Sequence, residues 1–423
     1  MVGRDAWTSI QVLVIALCFA LNMLDGTDLL IMSFVAPVLS VAWSVTPERL
    51  GVLFSASLLG MAIGCLAIAP LADRVGRRTL LLAALGVTSI SMLLSAFSGD
   101  ITTLTLIRLF VGIGVGTIGV TMTTMAAEFA PPRHAHFAVG FVQAGWPLGS
   151  VITAVVAAGV LPAHSWQILF LGIAALSFGL LVVVAKTLPE STSFLSSRRP
   201  PRALERINAI RARLRLAALD ALPQPSMSSV TFNLRALFEE GRLTRSVLLW
   251  CAVTLGYFDL YFVISWIPKL ATQAGLPISQ AIYAGAAYNV GAFAGTAAVG
   301  WIATRFRLDG VVASYLAIAA VMMLIFGGVA MPVWLTLGMA FMVGASVQGG
   351  FNGFWALAAR LYPPEIRSTG VGWALGVGRV GAVLGPVVGG VLVGAKLPIF
   401  AIFAVFAIPL VIASLITARL NLP

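Results

Sequence analysis

Charge is the scarcest property of this 423-residue chain, with Asp, Glu, Lys and Arg together making up 10% of it, against about a quarter in a soluble domain. That shortage excludes a water-soluble enzyme or binding module. With 60% hydrophobic residues and a mean hydropathy of +1.01, the chain belongs in lipid. Cysteine is nearly absent too: Cys18, Cys65 and Cys251 each lie in an apolar segment, without metal spacing. They read as small packing residues, which excludes a disulfide framework and a zinc site. The three histidines, His134, His136 and His164, fall in or near loops, and no Ser or Cys sits beside a plausible base. No enzyme activity, metal or cofactor is therefore expected. No small-residue cleavage site follows Arg4 and Asp5, so no removable signal peptide is expected.

What is present is a series of apolar runs about 20 residues long, the length that crosses a bilayer. They span residues 11–41, 48–72, 79–98, 102–127, 137–161, 165–187, 246–272, 278–303, 310–329, 332–359, 368–394 and 398–419. The order is six, a hydrophilic insert, and six. This reads as an all-α integral membrane protein of twelve transmembrane helices in two six-helix bundles, 1–189 and 246–423, joined by a basic linker over 190–245. The net charge of +11 follows the same plan, because Lys and Arg concentrate between spans: Arg4, the Arg74/Arg77/Arg78 cluster, Arg133, Lys186, ten arginines of the insert, Arg305, Arg307, Arg360, Arg367 and Arg419 on one side. Only Arg49, Lys269 and Lys396 fall on the other. That asymmetry places both termini and the insert in the cytoplasm, and topology accounts for the charge without a nucleic-acid partner.

Against this background Asn22-Met-Leu-Asp25-Gly-Thr-Asp28 stands out, since it sets two carboxylates in the middle of the first span. Their i, i+3 spacing puts both on one helix face, where they can share a cavity. A charge at that depth costs about 2.5–3.5 kcal/mol or more, so it is expected to face protein interior or a water-filled path. Gly26 between them lets another backbone or a ligand approach closely. Two cations also lie within spans, Arg108 and Arg379. Arg379 sits among Gly376, Gly378 and Gly381, which are expected to leave room around a guanidinium that fits a carboxylate in two hydrogen bonds. Its partner is either a substrate or Asp259. Arg108 opens a run with Gly112, Gly114 and Gly116, read as a close-packing face. In the insert, Arg202 to Arg215 has Leu and Ile at helical spacing with arginine between; it reads either as a linker helix or as a helix resting on anionic lipid.

The halves echo one another. After the second span comes Asp73-Arg74-Val-Gly76-Arg77-Arg78, and after the eighth comes Thr304-Arg305-Phe-Arg307. This loop and the six-plus-six order resemble the major facilitator superfamily over the whole chain. By that resemblance Asp73 faces the start of the eleventh helix, where Ser368 and Thr369 are capping candidates, and Arg77 pairs with Glu128 at the foot of the fourth. Such contacts hold an outward-facing state and part when the halves rock. With Thr304 in place of the acid, the latch, made of Asp73, Arg74, Arg77 and Glu128, is expected in one half only.

A narrower resemblance rests on Asp25-Gly26-Thr27-Asp28 with Phe34-Val35-Ala36-Pro37, on Tyr257 to Pro268, and on Tyr362-Pro363-Pro364-Glu365-Ile-Arg367 running through Trp373 and Arg379 to Gly385-Pro386. Together these look like the aromatic acid:proton symporter family. The resemblance implies import of a small aromatic carboxylate, benzoate- or hydroxybenzoate-like, with protons across the cytoplasmic (inner) membrane of a bacterium, with membrane lipid as the only other partner. Asp25 and Asp28 would carry protons and Arg108 would bias them, unless it forms a structural ion pair with either. Arg379 would hold the substrate carboxylate. An aromatic substrate needs flat apolar walls and a few polar groups. Tyr257, Phe258, Tyr261, Phe262 and Trp266 form a stripe on the seventh helix, with Trp266 read as an interfacial anchor; Phe351, Asn352 and Trp355 do likewise on the tenth. Gln143, Trp146, Tyr288, Asn289, Gln348 and Trp373 are further candidates. An exporter, an importer of another organic anion, and a transporter-shaped sensor remain as alternatives.

Overall fold

A computed structural model describes residues 7–222, 237–239, 242–329, 331–363 and 366–420; Arg4, Pro364 and Glu365, and the side chains of His136, Arg367 and Ser368, lie outside the described residues. Twelve long helices follow one another among the described residues: α1 (Ser9–Ala42), α2 (Pro47–Val75), α3 (Arg77–Ala96), α4 (Ile101–Phe129), α5 (Phe137–Val160), α6 (Gln167–Thr187), α7 (Leu243–Gln273), α8 (Ile278–Ile302), α9 (Leu308–Gly328), α10 (Val333–Leu361), α11 (Arg367–Gly394) and α12 (Ile399–Ala418). Eleven are long and apolar enough to cross a membrane. In α8 the polar Tyr283, Tyr288 and Asn289 and four glycines dilute the apolar residues, although its 25 residues carry no charge.

Local chemistry sets the boundaries. Pro47 opens α2, and Pro277, Pro332 and Pro398 stand just before α8, α10 and α12, where a missing N–H costs nothing and a fixed φ suits helix entry. Asp100 caps α4, its Oδ1 accepting from the N–H groups of Thr102 and Thr103 at 2.8 and 2.9 Å. The Thr103 hydroxyl adds to this and holds the Asp100 carboxyl below the usual range. A lowered native value means the cap's contribution is present above the unfolded value and is lost as pH falls through the native one. Two helices are interrupted. The helical path of α2 passes through a π-helical turn at Gly64–Ile68 and a 3-10 turn at Ala69–Leu71 before Gly76, at φ +103°, ends it. In α5, Pro147 cannot donate to the Gln143 carbonyl, and the helix breaks at Ala144 into Ala135–Gln143 and Gly145–Val160.

Helices α1–α6 and α7–α12 pack as two bundles, with α1 against α5 and α4, and α7 against α11 and α12. The bundles meet through α2 with α11, α5 with α8, and α1 with α7. That seam is tight at the end carrying the 43–46 and 395–398 connections. There the Ser55 hydroxyl donates to the Val383 carbonyl at 2.6 Å, Lys269 Nζ donates to Ser40 Oγ, and Phe54 stands edge-on to Trp266 at 5.5 Å. Among the described residues, the side-chain hydrogen bonds and the ring contact that join the two bundles gather at this end.

Between 188 and 242 the described chain forms two short helices, Thr192–Arg198 and Ala203–Arg213. Ala203, Ile207 and Ile210 of the second are buried in protein, which leaves that apolar face unavailable to lipid. This favours the linker-helix reading. The fold also tests Gly26, where an added Cβ would lie 2.1 Å from the backbone oxygen of Trp146 on α5. Backbone cannot step aside as a side chain can, so Gly26→Ala should lower stability by about 1–3 kcal/mol. Thermal unfolding in detergent reads this out, with Gly119→Ala, where nothing lies within 4 Å, expected to unfold no earlier than the parent.

Candidate functional site

The first span brings its two acids to different cations. Asp28 is 1% exposed, and neither carboxylate oxygen has a hydrogen-bond partner. The opposite charge acting on it is Arg108, and the like charge is Asp25. Arg108 is itself buried and donates from Nε to Ser57 Oγ at 3.1 Å, from Nη1 to Met92 Sδ at 3.4 Å, and from Nη2 to the backbone oxygen of Asp28. The glycine run beside it packs as its sequence implies, with α2 seated on Gly112 and Gly116 and α3 on Gly114. Thus Arg108 is held to the Asp28 turn by backbone, while the carboxylate stays unbonded.

Asp25 faces the other half. The titratable groups that sense the Arg379 charge are Asp25 on α1, Cys65 on α2, and Tyr257 and Tyr261 on α7. Arg379 makes no hydrogen bond or ion pair with the described residues, and Asp259, the alternative partner, is not among the groups acting on it. Cys65, which its apolar surroundings mark as packing, belongs to this centre because the π-helical turn carries it there. Only the tertiary fold reveals that. Around Arg379 the α11 glycines do something other than make space: Gly381 and Gly385 lie against the backbone oxygens of Thr254 and Phe258, and Gly378 against the Tyr257 ring. They press α7 onto α11, which sets Tyr257 beside the guanidinium.

The aromatic stripe of α7 divides in two. Tyr257 and Tyr261 stack at 5.8 Å, and Phe351 of α10 lies on Tyr257 at 4.5 Å, so these three rings form one wall. Phe258 and Phe262 instead stack on Phe406 of α12, inside the C-terminal bundle. Trp266 is 0% exposed and donates from Nε1 to the Pro386 carbonyl at 3.1 Å. Its indole is a buried wedge between halves, which corrects the reading as an interfacial anchor.

The remaining candidates sit at varying distances from this centre. Gln143 accepts from Asn22 Nδ2 at 3.2 Å, and Asn22 also donates to the Val142 carbonyl at 2.7 Å, tying the break in α5 to α1 one turn before Asp25. Asn22 was not singled out by itself, although its place in the Asp25–Asp28 run offered the signal. Tyr288 and Asn289 are buried on α8, and the Tyr288 hydroxyl and Asn289 Oδ1 are unpartnered. Asn352 donates to Thr296 Oγ1 at 2.7 Å, while Trp355 is 47% exposed and in no ring contact. Gln348 donates weakly to Asn352, and Trp373 stacks on Trp250 at 6.1 Å. A small cleft with room for about one water molecule lies between α1, α2 and α7, lined by Leu29, Met32, Ser33, Phe54, Ser57 and Ile264 among others. It adjoins the Arg108 anchor at Ser57.

At the end opposite the 43–46 and 395–398 connections, Arg77 Nη1 and Glu128 Oε2 lie 2.6 Å apart, the pairing the resemblance implies. Asp73 departs from its expected place: its side chain is 77% exposed and reaches only Arg77, at 3.6 Å. The N-cap of α11 is Ile366, without a side-chain bond, so Thr369 is already inside the helix and caps nothing. Arg74, beside Asp73, enters no described ion pair. Three contacts that the sequence does not show complete the network: Glu190 accepts from the N–H of Arg78 at 2.9 Å, Glu128 from that of Ser193 at 3.2 Å, and Arg198 donates to the Asp73 carbonyl at 2.9 Å.

Two six-helix bundles meeting around intramembrane acids and a guanidinium unbonded by any described residue are the arrangement of a membrane transporter. The family model described as Major Facilitator Superfamily matches residues 15–353 and 249–422. Two relatives agree: a 4-hydroxybenzoate transporter of Pseudomonas aeruginosa, 32% identical over 90% of this chain and 86% of that one, and a gallate transporter of Pseudomonas putida, 31% identical over 96% and 90%. The chain therefore belongs to the major facilitator superfamily and, within it, to the aromatic acid:proton symporter family. In fold it is similar to a bacterial homologue of the lysosomal transporter Spinster, in an inward-facing form, with TM-score 0.78 at 17% identity and 98% of each chain covered. The superfamily and both relatives are transporters, so the chain is a multi-pass membrane transporter and not an enzyme.

Proposed function

We propose that this transporter imports an aromatic carboxylate, benzoate- or hydroxybenzoate-like, together with protons across the cytoplasmic membrane by alternating access. The observation that carries the reading is the position of Arg379. Among the described residues its guanidinium has no bonded partner, and the groups whose charge bears on it include Asp25 and the stacked Tyr257 and Tyr261. A buried guanidinium without a partner is costly. A carboxylate meets its two-pronged donor geometry, and the Tyr257, Tyr261 and Phe351 rings give the attached aromatic ring a flat wall. The names of the two relatives support the substrate class.

Asp25 supplies the coupling. While it is ionised it repels an incoming anion and competes for Arg379; a proton on it removes both effects. The loaded cavity then approaches neutrality and can pass between states. The Lys and Arg distribution supports cytoplasmic termini, which makes the end carrying Asp73 and Glu128 the inner one. There Arg77 and Glu128 are already paired within the N-terminal bundle, and Asp73 and Arg74 complete the latch when the halves close on that side. Direction and coupling are tested together in proteoliposomes: an inward proton gradient should drive labelled 4-hydroxybenzoate inward and accumulate it, and a proton-independent or outward flux would defeat the reading.

Substrate position has its own test, since Cys65 lies beside Arg379 and is partly exposed, whereas Cys18 is buried and Cys251 exposed. In a Cys251→Ser background, saturating 4-hydroxybenzoate should slow maleimide modification of Cys65 at least severalfold. Unchanged labelling under saturation places the ligand elsewhere.

A further inference from the structure

Asp259 takes no part in the site described so far. It is 0% exposed, and neither oxygen has a hydrogen-bond partner. Its place follows from its neighbours on α7. Three residues before it, Gly256 lies against Phe351 and Phe354 of α10; three residues after it, Phe262 stacks on Phe406 of α12. Asp259 therefore looks into the aromatic interior of the C-terminal bundle, on the face of α7 away from Tyr257 and Tyr261. Of the titratable groups on the helices packed around it, Tyr288 of α8 is the one that senses its charge, and the Tyr288 hydroxyl is also buried and unpartnered. Tyr288 in turn senses Tyr261, which senses Arg379. Among the described residues, the side chains of α10 and α12 shown against this stretch of α7 are phenylalanines, and neither Asp25 and Asp28 of α1 nor Arg379 of α11 acts on the Asp259 charge.

A structural carboxyl is retained where its oxygens complete a hydrogen-bond network. Here they complete none, so the acid contributes nothing to this packing that a leucine would not supply better. Its use must lie in another state, in which the bundle shifts and a donor, acceptor or water reaches it. We propose that Asp259 and Tyr288 form a second proton-binding site, in the C-terminal half: one proton binds the Asp259 carboxylate in one state and is released to water in the other, with the Tyr288 hydroxyl as its hydrogen-bond partner and its link to Tyr261 at the substrate wall. This rests on the proton-coupled reading above and adds one proton to the cycle.

The test is the proton-to-substrate ratio, measured in proteoliposomes from the pH gradient that just balances a labelled 4-hydroxybenzoate gradient. Each coupled proton adds about tenfold accumulation per unit of pH gradient. Asp259→Asn should still transport, with a ratio lower by one and accumulation about tenfold lower at a one-unit gradient; Tyr288→Phe should shift the pH dependence of uptake in the same direction. An unchanged ratio in Asp259→Asn, with the parent still proton-coupled, overturns the second site and leaves the first reading intact. Absence of proton movement in the parent overturns both. Should Asp259→Asn fail to fold, infrared difference spectra of the Asp25→Asn/Asp28→Asn/Arg108→Gln variant decide the matter. A protonated-carboxyl band that changes with pH or substrate is expected, and none overturns the proposal.

Discussion

Arg379→Ala is expected to abolish concentrative uptake of 4-hydroxybenzoate while leaving the protein folded and in the membrane. No described residue bonds to this guanidinium, so its removal breaks no hydrogen bond, and Asp25, whose charge it balances, can take a proton in its absence; the loss falls on the ligand. Truncating one side of a desolvated charge pair costs about 2–5 kcal/mol, and each 1.4 kcal/mol is about tenfold, which places the loss of affinity at about 30-fold to several-thousandfold. Arg379→Lys keeps the charge but not the two-pronged geometry, and should recover only part of it. Binding measured by thermal shift in detergent separates this from a transport defect, because a ligand that binds only the folded state raises its apparent stability. A wild-type shift with Arg379→Ala would remove the guanidinium from the substrate site.

Asp25→Asn and Asp28→Asn should both end proton-driven accumulation, yet for different reasons that the structure separates. Asp25 faces Arg379 across the seam. Its amide keeps shape and removes the charge that repels the substrate, so Asp25→Asn should bind ligand and exchange it across the membrane without responding to a pH gradient. Accumulation then falls by the whole gradient factor, about tenfold per pH unit for each proton lost. Asp28 is the counter-charge to a fully buried Arg108. Removing it leaves a cation in low dielectric held only by a serine hydroxyl, a sulfur and one carbonyl, and breaking such a pair costs about 3–5 kcal/mol. Asp28→Asn should therefore lower the unfolding temperature as well as uptake, whereas Asp28→Asn/Arg108→Gln should restore much of the stability without restoring coupling. Accumulation equal to the parent in both single variants would end the assignment of protons to α1.

How much of the site could be read from the chain depends on which property carried the signal. Asp25, Asp28, Arg108 and Arg379 are legible because an ionisable residue in an apolar run is costly at any position in a bilayer, whatever it faces. The stripe on α7 was legible as aromatic but not as two faces, since spacings of three and four continue around a helix and only the neighbours decide which rings meet. Trp266 shows the same limit: its position near a helix end suggests a membrane boundary, but Phe54 and the Pro386 carbonyl from other helices enclose it. Gly376, Gly378 and Gly381 read as room around a guanidinium, but α7 packs against Gly378 and Gly381.

The sequence by itself determined the class of protein, the twelve spans, the one-sided bias of its cations and the placing of Asp25, Asp28, Arg108, Asp259 and Arg379 within spans, because hydropathy, helical period and the cost of burying charge are local properties of the chain. Tertiary structure alone decided that Asp28 answers Arg108 while Asp25 answers Arg379, that Cys65 joins them, and that Asp259 turns away. Those pairings join residues up to several hundred positions apart, and they depend on the rotational phase of each helix. A π-helical turn in α2, a proline break in α5 and close glycine contacts set that phase only once the helices have packed.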